Sequence, residues 1–137
     1  PARVKQLLAS VRGAYPPHAL DIGCGTGRVL DLGLVTPDRY AGVDSSQAML
    51  NLLLRKHPNT AAVYPLDIRS ALRAGTFTPS QFDWVVVDSS VEVNDAERAQ
   101  VEEIARVAVI EVEADDWTVR DVSEQSQQRV LATSRAS

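Results

Sequence analysis

Leu20-Asp21-Ile22-Gly23-Cys24-Gly25-Thr26-Gly27 decides the fold. A short apolar run from Ala19 to Ile22 meets three glycines in five residues, and a helical pattern carrying Val29 and Leu30 follows. Glycines at such a junction let the backbone turn tightly and come close to a ligand, where a Cβ would stand in the way. The start of the next helix offers unpaired N–H groups to a polar ligand end. Asp44 lies 21 residues beyond Gly23, at the end of the next predicted strand, Tyr40-Ala41-Gly42-Val43. A carboxylate there can accept both hydroxyls of an adenosine ribose.

Working outward, strands and helices alternate. Val4, Leu7, Leu8 and Val11 have the spacing of an amphipathic helix over 2–14, ended by Pro16 and Pro17. The helix after the glycines is expected to bury Val29, Leu30 and Leu32–Leu34 and to stop at Pro37. Ser46 is placed to cap a helix through Ala48, Met49, Leu52 and Leu53, closed by Pro58. A third strand over 61–66 ends at Asp67, and a turn of helix follows near 70–74. Phe82-Asp83-Trp84-Val85-Val86-Val87 is nearly continuous in apolar residues, as a strand covered on both faces should be. A helix over 95–106 leads to a β-branched fifth strand over 107–112; strands over 117–122 and 129–134 complete seven.

Such alternation predicts a doubly wound, mainly parallel sheet in three α/β/α layers, forming one domain over 1–137. Only Glu113 to Asp116 separate strands five and six, so no helix fits between them. A connection that short joins antiparallel neighbours. The expected order is therefore 3-2-1-4-5-6-7, with strand six antiparallel and the last helix missing. One sheet face would then be thinly covered, with Trp117 filling part of the gap or joining a partner chain; a homodimer is the corresponding expectation. Ligands of such sheets sit beyond the carboxyl ends of the strands, where the glycines, Asp44 and Asp67 all fall.

The composition excludes several classes. The 137 residues carry a formal net charge of −4 with no basic run, which argues against a nucleic-acid partner. No apolar stretch reaches membrane-spanning length. Cys24 is the single cysteine, so no intrachain disulfide forms, no metal site has Cys/His spacing, and a cytoplasmic location is expected. The dinucleotide fingerprint wants a third small residue where Arg28 stands, which disfavours a nicotinamide cofactor without excluding it.

Asp21-Ile22-Gly23-Cys24-Gly25-Thr26-Gly27 resembles motif I of the class I S-adenosylmethionine-dependent methyltransferases, which have a Rossmann-like fold. Gly42-Val43-Asp44-Ser45-Ser46-Gln47-Ala48-Met49-Leu50 resembles that family's second motif. Asp67-Ile68 and Phe82 to Asp88 continue the likeness, which covers about residues 1–110. It implies S-adenosylmethionine as cofactor, with Gly23, Cys24, Gly25, Thr26 and Gly27 passing its methionine portion. Asp21 would support that loop or meet the ligand's amino group. Asp44 and Ser45 would take the ribose, Met49 would help cover the adenine, and Asp67 and Ile68 would bracket it. Asp88 and Ser89 would line the methyl-transfer side.

Methyl transfer is a direct displacement in which the protein aligns the acceptor and excludes water; a general base is optional. Asp88 and Glu92 are the base candidates, because they follow strand four at the binding edge. His18 lies at the opposite sheet end, His57 suits a helix C-terminus, and Cys24 lacks an activating base. The strand-four exit, Asp88-Ser89-Ser90-Val91, is not the Asn/Asp-Pro-Pro-Tyr/Phe motif of nucleobase-amine enzymes. The expected activity is methyl transfer to an acceptor that is small or presented by another protein. The alternative is a module that binds S-adenosylmethionine without transferring methyl, as sensor, sink or regulatory subunit.

Overall fold

The computed structural model describes residues 2–9, 16–123 and 130–135. Seven strands form one sheet: β1 (Ala19–Ile22), β2 (Tyr40–Val43), β3 (Ala62–Tyr64), β4 (Phe82–Asp88), β5 (Ala105–Glu113), β6 (Asp116–Asp121) and β7 (Val130–Arg135). Their order is β3-β2-β1-β4-β5-β6-β7. β1 to β5 pair in parallel, and β6 runs antiparallel to both β5 and β7. This is the expected order, and its cause is the tight link at Ala114 and Asp115, which leaves β6 no path except back along β5.

The helices are α1 (Ala2–Ala9), α2 (Arg28–Asp31), α3 (Gln47–Lys56), α4 (Ile68–Arg73) and α5 (Asp95–Ile104). β1 and β2 are buried along their whole length, and β4 up to Val87. Side chains alternate between two apolar layers. Tyr40, Leu50, Leu53, Trp84, Val86 and Trp117 share one with α1, α2 and α3. Leu20, Ile22, Val85, Val87 and Val109 share the other with α4 and α5. Because β4 sends Trp84 and Val86 one way and Val85 and Val87 the other, the two-sided burial read from its composition follows.

The end beyond β5 is built differently. Trp117 and Val119 point into the layer that α1 covers and are fully buried, whereas Thr118 and Arg120 face outward and are only half-buried. α1 packs on β6 and β7. Arg120 donates to Glu102 of α5 at 2.6 Å and lies 3.6 Å from Glu111 of β5. Among the described residues, β6 presents a polar outer face on the side that lacks a helix, since it alternates apolar-in and polar-out like an antiparallel strand with one wet side. Trp117 packs in the layer under α1, on the opposite face of the sheet from that gap, and does not fill it.

Local signals account for the ends of elements. The Ser46 hydroxyl accepts the Met49 N–H, as expected of an N-cap. Asn94 and Glu97 form a reciprocal capping box on α5. α2 is much shorter than expected, because Gly33 enters the left-handed region (φ +69°) and the N–H groups of Gly33 and Leu34 return to Leu30 and Val29. α4 begins earlier than expected, at Ile68, because Asp67 caps it through the Ser70 N–H. α5 gives way to β5 at Ala105, so the expected last turn to residue 106 is strand. Of the helix expected over 2–14, residues 10–14 lie outside the described residues, as does residue 129 of the last strand.

Candidate functional site

A cleft of about 460 Å³ opens beyond the carboxyl ends of β1 and β2 and the start of α4. Its walls include Ile22, Gly23, Asp44, Ser45, Asp67 and Ile68, with Leu66 and Val91 adding apolar surface and Arg69 and Glu92 charge. Four strand-to-helix junctions meet here because the order reverses at β1: the chain after β1 crosses toward β2, and later returns to β4 on the other side.

The glycine loop is held by β2. The Gly23 and Cys24 N–H groups both donate to Val43 O, at 2.8 and 3.1 Å. Gly23 has φ +77°, and a Cβ there would stand 2.5 Å from Val91 Cγ2 and 3.3 Å from Asp88 Cβ. The glycine thus admits the β4–α5 loop onto the turn itself. Gly27, at φ +96°, is the residue before α2, where an added Cβ would press on Leu53 at 3.1 Å.

Asp44 is fixed by backbone donors on both oxygens. Its Oδ2 accepts the Gly25 N–H and its Oδ1 the Ser46 N–H, each at 2.9 Å. A carboxylate oxygen can accept more than one bond, so Asp44 is oriented by the loop and retains lone pairs on the cleft side. Asp67 accepts the Ser70 N–H and hydroxyl, and these bonds hold its carboxyl below the ordinary carboxylate range. Arg69 donates through Nε to Glu97 at 2.6 Å, and the guanidinium holds the Glu97 carboxyl down at about 2.

Beneath the loop, Asp21 is buried, and Tyr40 donates its hydroxyl to Asp21 Oδ2 at 2.6 Å. Burial raises the Asp21 carboxyl to about 7, with the Asp88 and Asp44 charges adding to the rise and Tyr40 opposing it. Burial also pushes the Cys24 thiol up to about 12. Gly42 makes room for this cluster, since a Cβ there would lie 2.8 Å from Cys24 Sγ and 3.2 Å from the Tyr40 oxygen. Asp21 therefore supports the loop from below and does not border the cleft.

A second cavity of about 340 Å³ lies across Val91, between the exits of β4 and β5 and the start of β6. Asp88, Ser89, Val93, Arg98 and Glu111 line it, along with Glu113, Asp116 and Thr118. Asp88 Oδ1 accepts the Ser90 N–H at 2.9 Å, and Arg98 donates to Glu111 at 2.7 Å. The two base candidates are not brought together: Asp88 borders this cavity, Glu92 the first cleft.

The other residues singled out from the sequence fall as follows. Met49 is 44% exposed on α3 and is not among the residues that border the cleft. Cys24 is buried in the loop, and Thr26 sits in the turn closed by the Gly27 N–H to Cys24 O bond. His57 ends α3 with Nε2 2.8 Å from Asp31, and His18 is exposed at the opposite end of β1. Among the described residues no group of three His, Cys, Asp or Glu is placed to hold a metal, and no helix is long and apolar enough to cross a membrane. Sequence reasoning missed Val91, the Tyr40–Asp21 pair and the Arg98–Glu111 pair. The alternation of Val91 and Val93 between polar residues was the available signal for the first.

A doubly wound α/β domain with a glycine turn, a strand-tip carboxylate and a cleft of this size is a nucleoside-cofactor-binding domain. The profile of the family described as "Methyltransferase domain" matches residues 19–110. The chain belongs to that family, as a class I S-adenosylmethionine-dependent member, and S-adenosylmethionine is the cofactor. The residues present fit that group: apolar walls at Ile22 and Ile68 suit a purine, and the pinned Asp44 suits two ribose hydroxyls. Among solved structures, a SAM-dependent methyltransferase from Leishmania major superposes with a TM-score of 0.61 at 18% identity, covering 80% of this chain and 47% of that one. Magnesium protoporphyrin IX methyltransferase from Synechocystis PCC 6803, solved with bound SAM, gives 0.56 at 20% identity, over 80% and 54%. At these identities the likeness is one of fold. The chain spans about half the length of these two relatives, and 26–28% of some others that it matches. No curated protein matches the sequence.

Proposed function

We propose that the protein transfers a methyl group from S-adenosylmethionine to an acceptor that is small or presented by another protein. The observation that carries this reading is the pairing of two cavities that share Val91 as a wall. One has adenosine-binding chemistry, and the other is bounded by Asp88. When bound, the cofactor supplies a methyl group on a sulfonium, a good leaving group that needs no activation by the protein. Asp44 would hold the ribose hydroxyls, with its orientation set by the Gly25 and Ser46 N–H groups. Ile68 and Leu66 would cover the purine, Asp67 would take its exocyclic amine, and Ser45 would lie beside the ribose; all four border the cleft. The glycine loop would admit the methionine portion, with Asp21 supporting the loop from beneath. Asp88 and Ser89 line the acceptor side. Asp88 is the base there if the nucleophile has a proton to lose, with Glu92 a second candidate from the other cavity.

Most of the rate would come from alignment and exclusion of water rather than acid–base work. The separation of Asp88 from Glu92 accords with that, because no dyad is assembled. It also leaves room for the second reading, a module that holds the cofactor without transferring methyl. The single cysteine, Cys24, buried and free, suits a reducing compartment, and the proposed location is the cytoplasm. The deciding experiment incubates the protein with methyl-labelled S-adenosylmethionine and a panel of amines, carboxylic acids, thiols, phenols and peptides. Label transferred to one class, and lost in Asp88→Asn or Asp44→Ala, supports the enzyme. Tight cofactor binding with no transfer to any class favours the binding module.

A further inference from the structure

Arg28, the residue that breaks the dinucleotide fingerprint, follows Gly27 directly and opens α2. Its side chain reaches across to the β5–β6 hairpin. Nη1 donates to Ala114 O at 2.7 Å and Nη2 to Asp115 Oδ1 at 3.1 Å, while the guanidinium carbon lies 5.4 Å from the Trp117 ring centre. Asp115 is largely exposed, so that ion pair alone is weak. The other two contacts are different. Trp117 is fully buried, and a guanidinium over its ring face is a cation–π contact. Ala114 has φ +52°, an unfavourable value for a residue with a Cβ, and the carbonyl of that residue is the one Arg28 holds.

The hairpin is also a wall of the second cavity, through Glu113 and Asp116 on either side of the turn. One side chain thus ties the loop that borders the first cleft to the wall of the second.

We propose that Arg28 is a positioning residue coupling the two cavities, so that cofactor in the first cleft stiffens the hairpin that borders the acceptor side. The inference rests on the cofactor reading above. Site-to-site coupling of this kind is reciprocal: an ordered hairpin also favours cofactor. A fork donor is needed, because Lys carries the charge but cannot bond the carbonyl and the carboxylate in the same planar geometry.

The test combines calorimetric titration of S-adenosylhomocysteine with hydrogen exchange of the segment over 112–118, for wild type, Arg28→Ala and Arg28→Lys. In wild type, saturation should slow exchange in that segment by about fivefold, the lower end of the usual range for coupled sites. In Arg28→Ala, exchange in the free protein rises and the response to ligand disappears, while heat of binding persists with weakened affinity. Arg28→Lys should recover only part of the response. A purely structural role would raise exchange equally with and without ligand, leaving the response intact, and that result overturns the proposal. Heat of binding with an unmoved hairpin in wild type overturns it too. Absence of heat in wild type removes the cofactor reading itself, and this proposal with it. If Arg28→Ala does not fold, Arg28→Lys decides, since an undiminished response there refutes the fork requirement.

Discussion

Replacing Asp21 by Asn should stabilise the protein above neutral pH. The Asp21 carboxyl titrates at about 7 in the folded chain because it is buried, against a reference of 3.8. Below about pH 4 it is protonated in both folded and unfolded chains and contributes nothing to pH dependence. Between about 4 and 7 the unfolded chain releases the proton while the folded one keeps it, so stability falls as pH rises. Above 7 the loss is complete. The difference of about 3 pH units corresponds to an upper bound on the order of 4 kcal/mol, and relaxation around a buried charge lowers the real figure. Asn keeps an oxygen for the Tyr40 hydroxyl and removes the charge, so Tyr40 is not orphaned. Urea unfolding at intervals from pH 4 to 8.5 gives the readout as the difference between Asp21→Asn and wild type. Using that difference removes the opposite slopes of Asp31, Asp67 and Glu97, whose carboxyls are held low by their partners. The variant should gain on wild type across pH 4–7 and hold a constant lead above it. A difference that is flat across that range would refute the reasoning.

Three further outcomes follow from the same geometry. Gly23→Ala meets both a left-handed backbone and Val91 Cγ2 at 2.5 Å; a loss of about 1–3 kcal/mol in urea unfolding is expected, with partial recovery in Gly23→Ala/Val91→Ala. Gly42→Ala should be destabilising by about 1–3 kcal/mol through overpacking against Cys24 and Tyr40, and pairing it with Tyr40→Phe should recover little, because Cys24 Sγ is the nearer obstacle. The Cys24 thiol, buried and pushed up to about 12, should resist iodoacetamide in native protein at pH 8 and react on unfolding; rapid native labelling would show the loop to be open.

The sheet was largely legible because its causes are local. Phe82 to Val87 can only be a strand covered on both sides, and the four residues Glu113 to Asp116 between the expected fifth and sixth strands can only make an antiparallel turn. The site was legible in part for the same reason, since glycines and acids at strand ends are placed by the fold class. What escaped were contacts between distant segments. Nothing next to Asp21 announces that Tyr40 lies beneath it, because their pairing depends on β1 and β2 side chains sharing a face. Val91 on Gly23 and Arg28 on Ala114 likewise join segments far apart in sequence. The overlong helix expected after the glycines has another origin: the apolar run at Leu32 and Leu34 outweighed the stop signal of Gly33, which the structure uses as a left-handed helix end.

The central claim is that the first cleft holds S-adenosylmethionine through Asp44. Calorimetric titration of S-adenosylmethionine, S-adenosylhomocysteine and NAD into wild type, Asp44→Asn and Asp44→Ala tests it most directly, with thermal unfolding of each variant as a check on folding. Saturable binding of the first two and not NAD is expected, weakened at least about tenfold in both folded variants, as loss of charge-assisted bonds to a ligand requires. Preference for NAD, or binding of S-adenosylmethionine that survives in Asp44→Ala, would contradict the account.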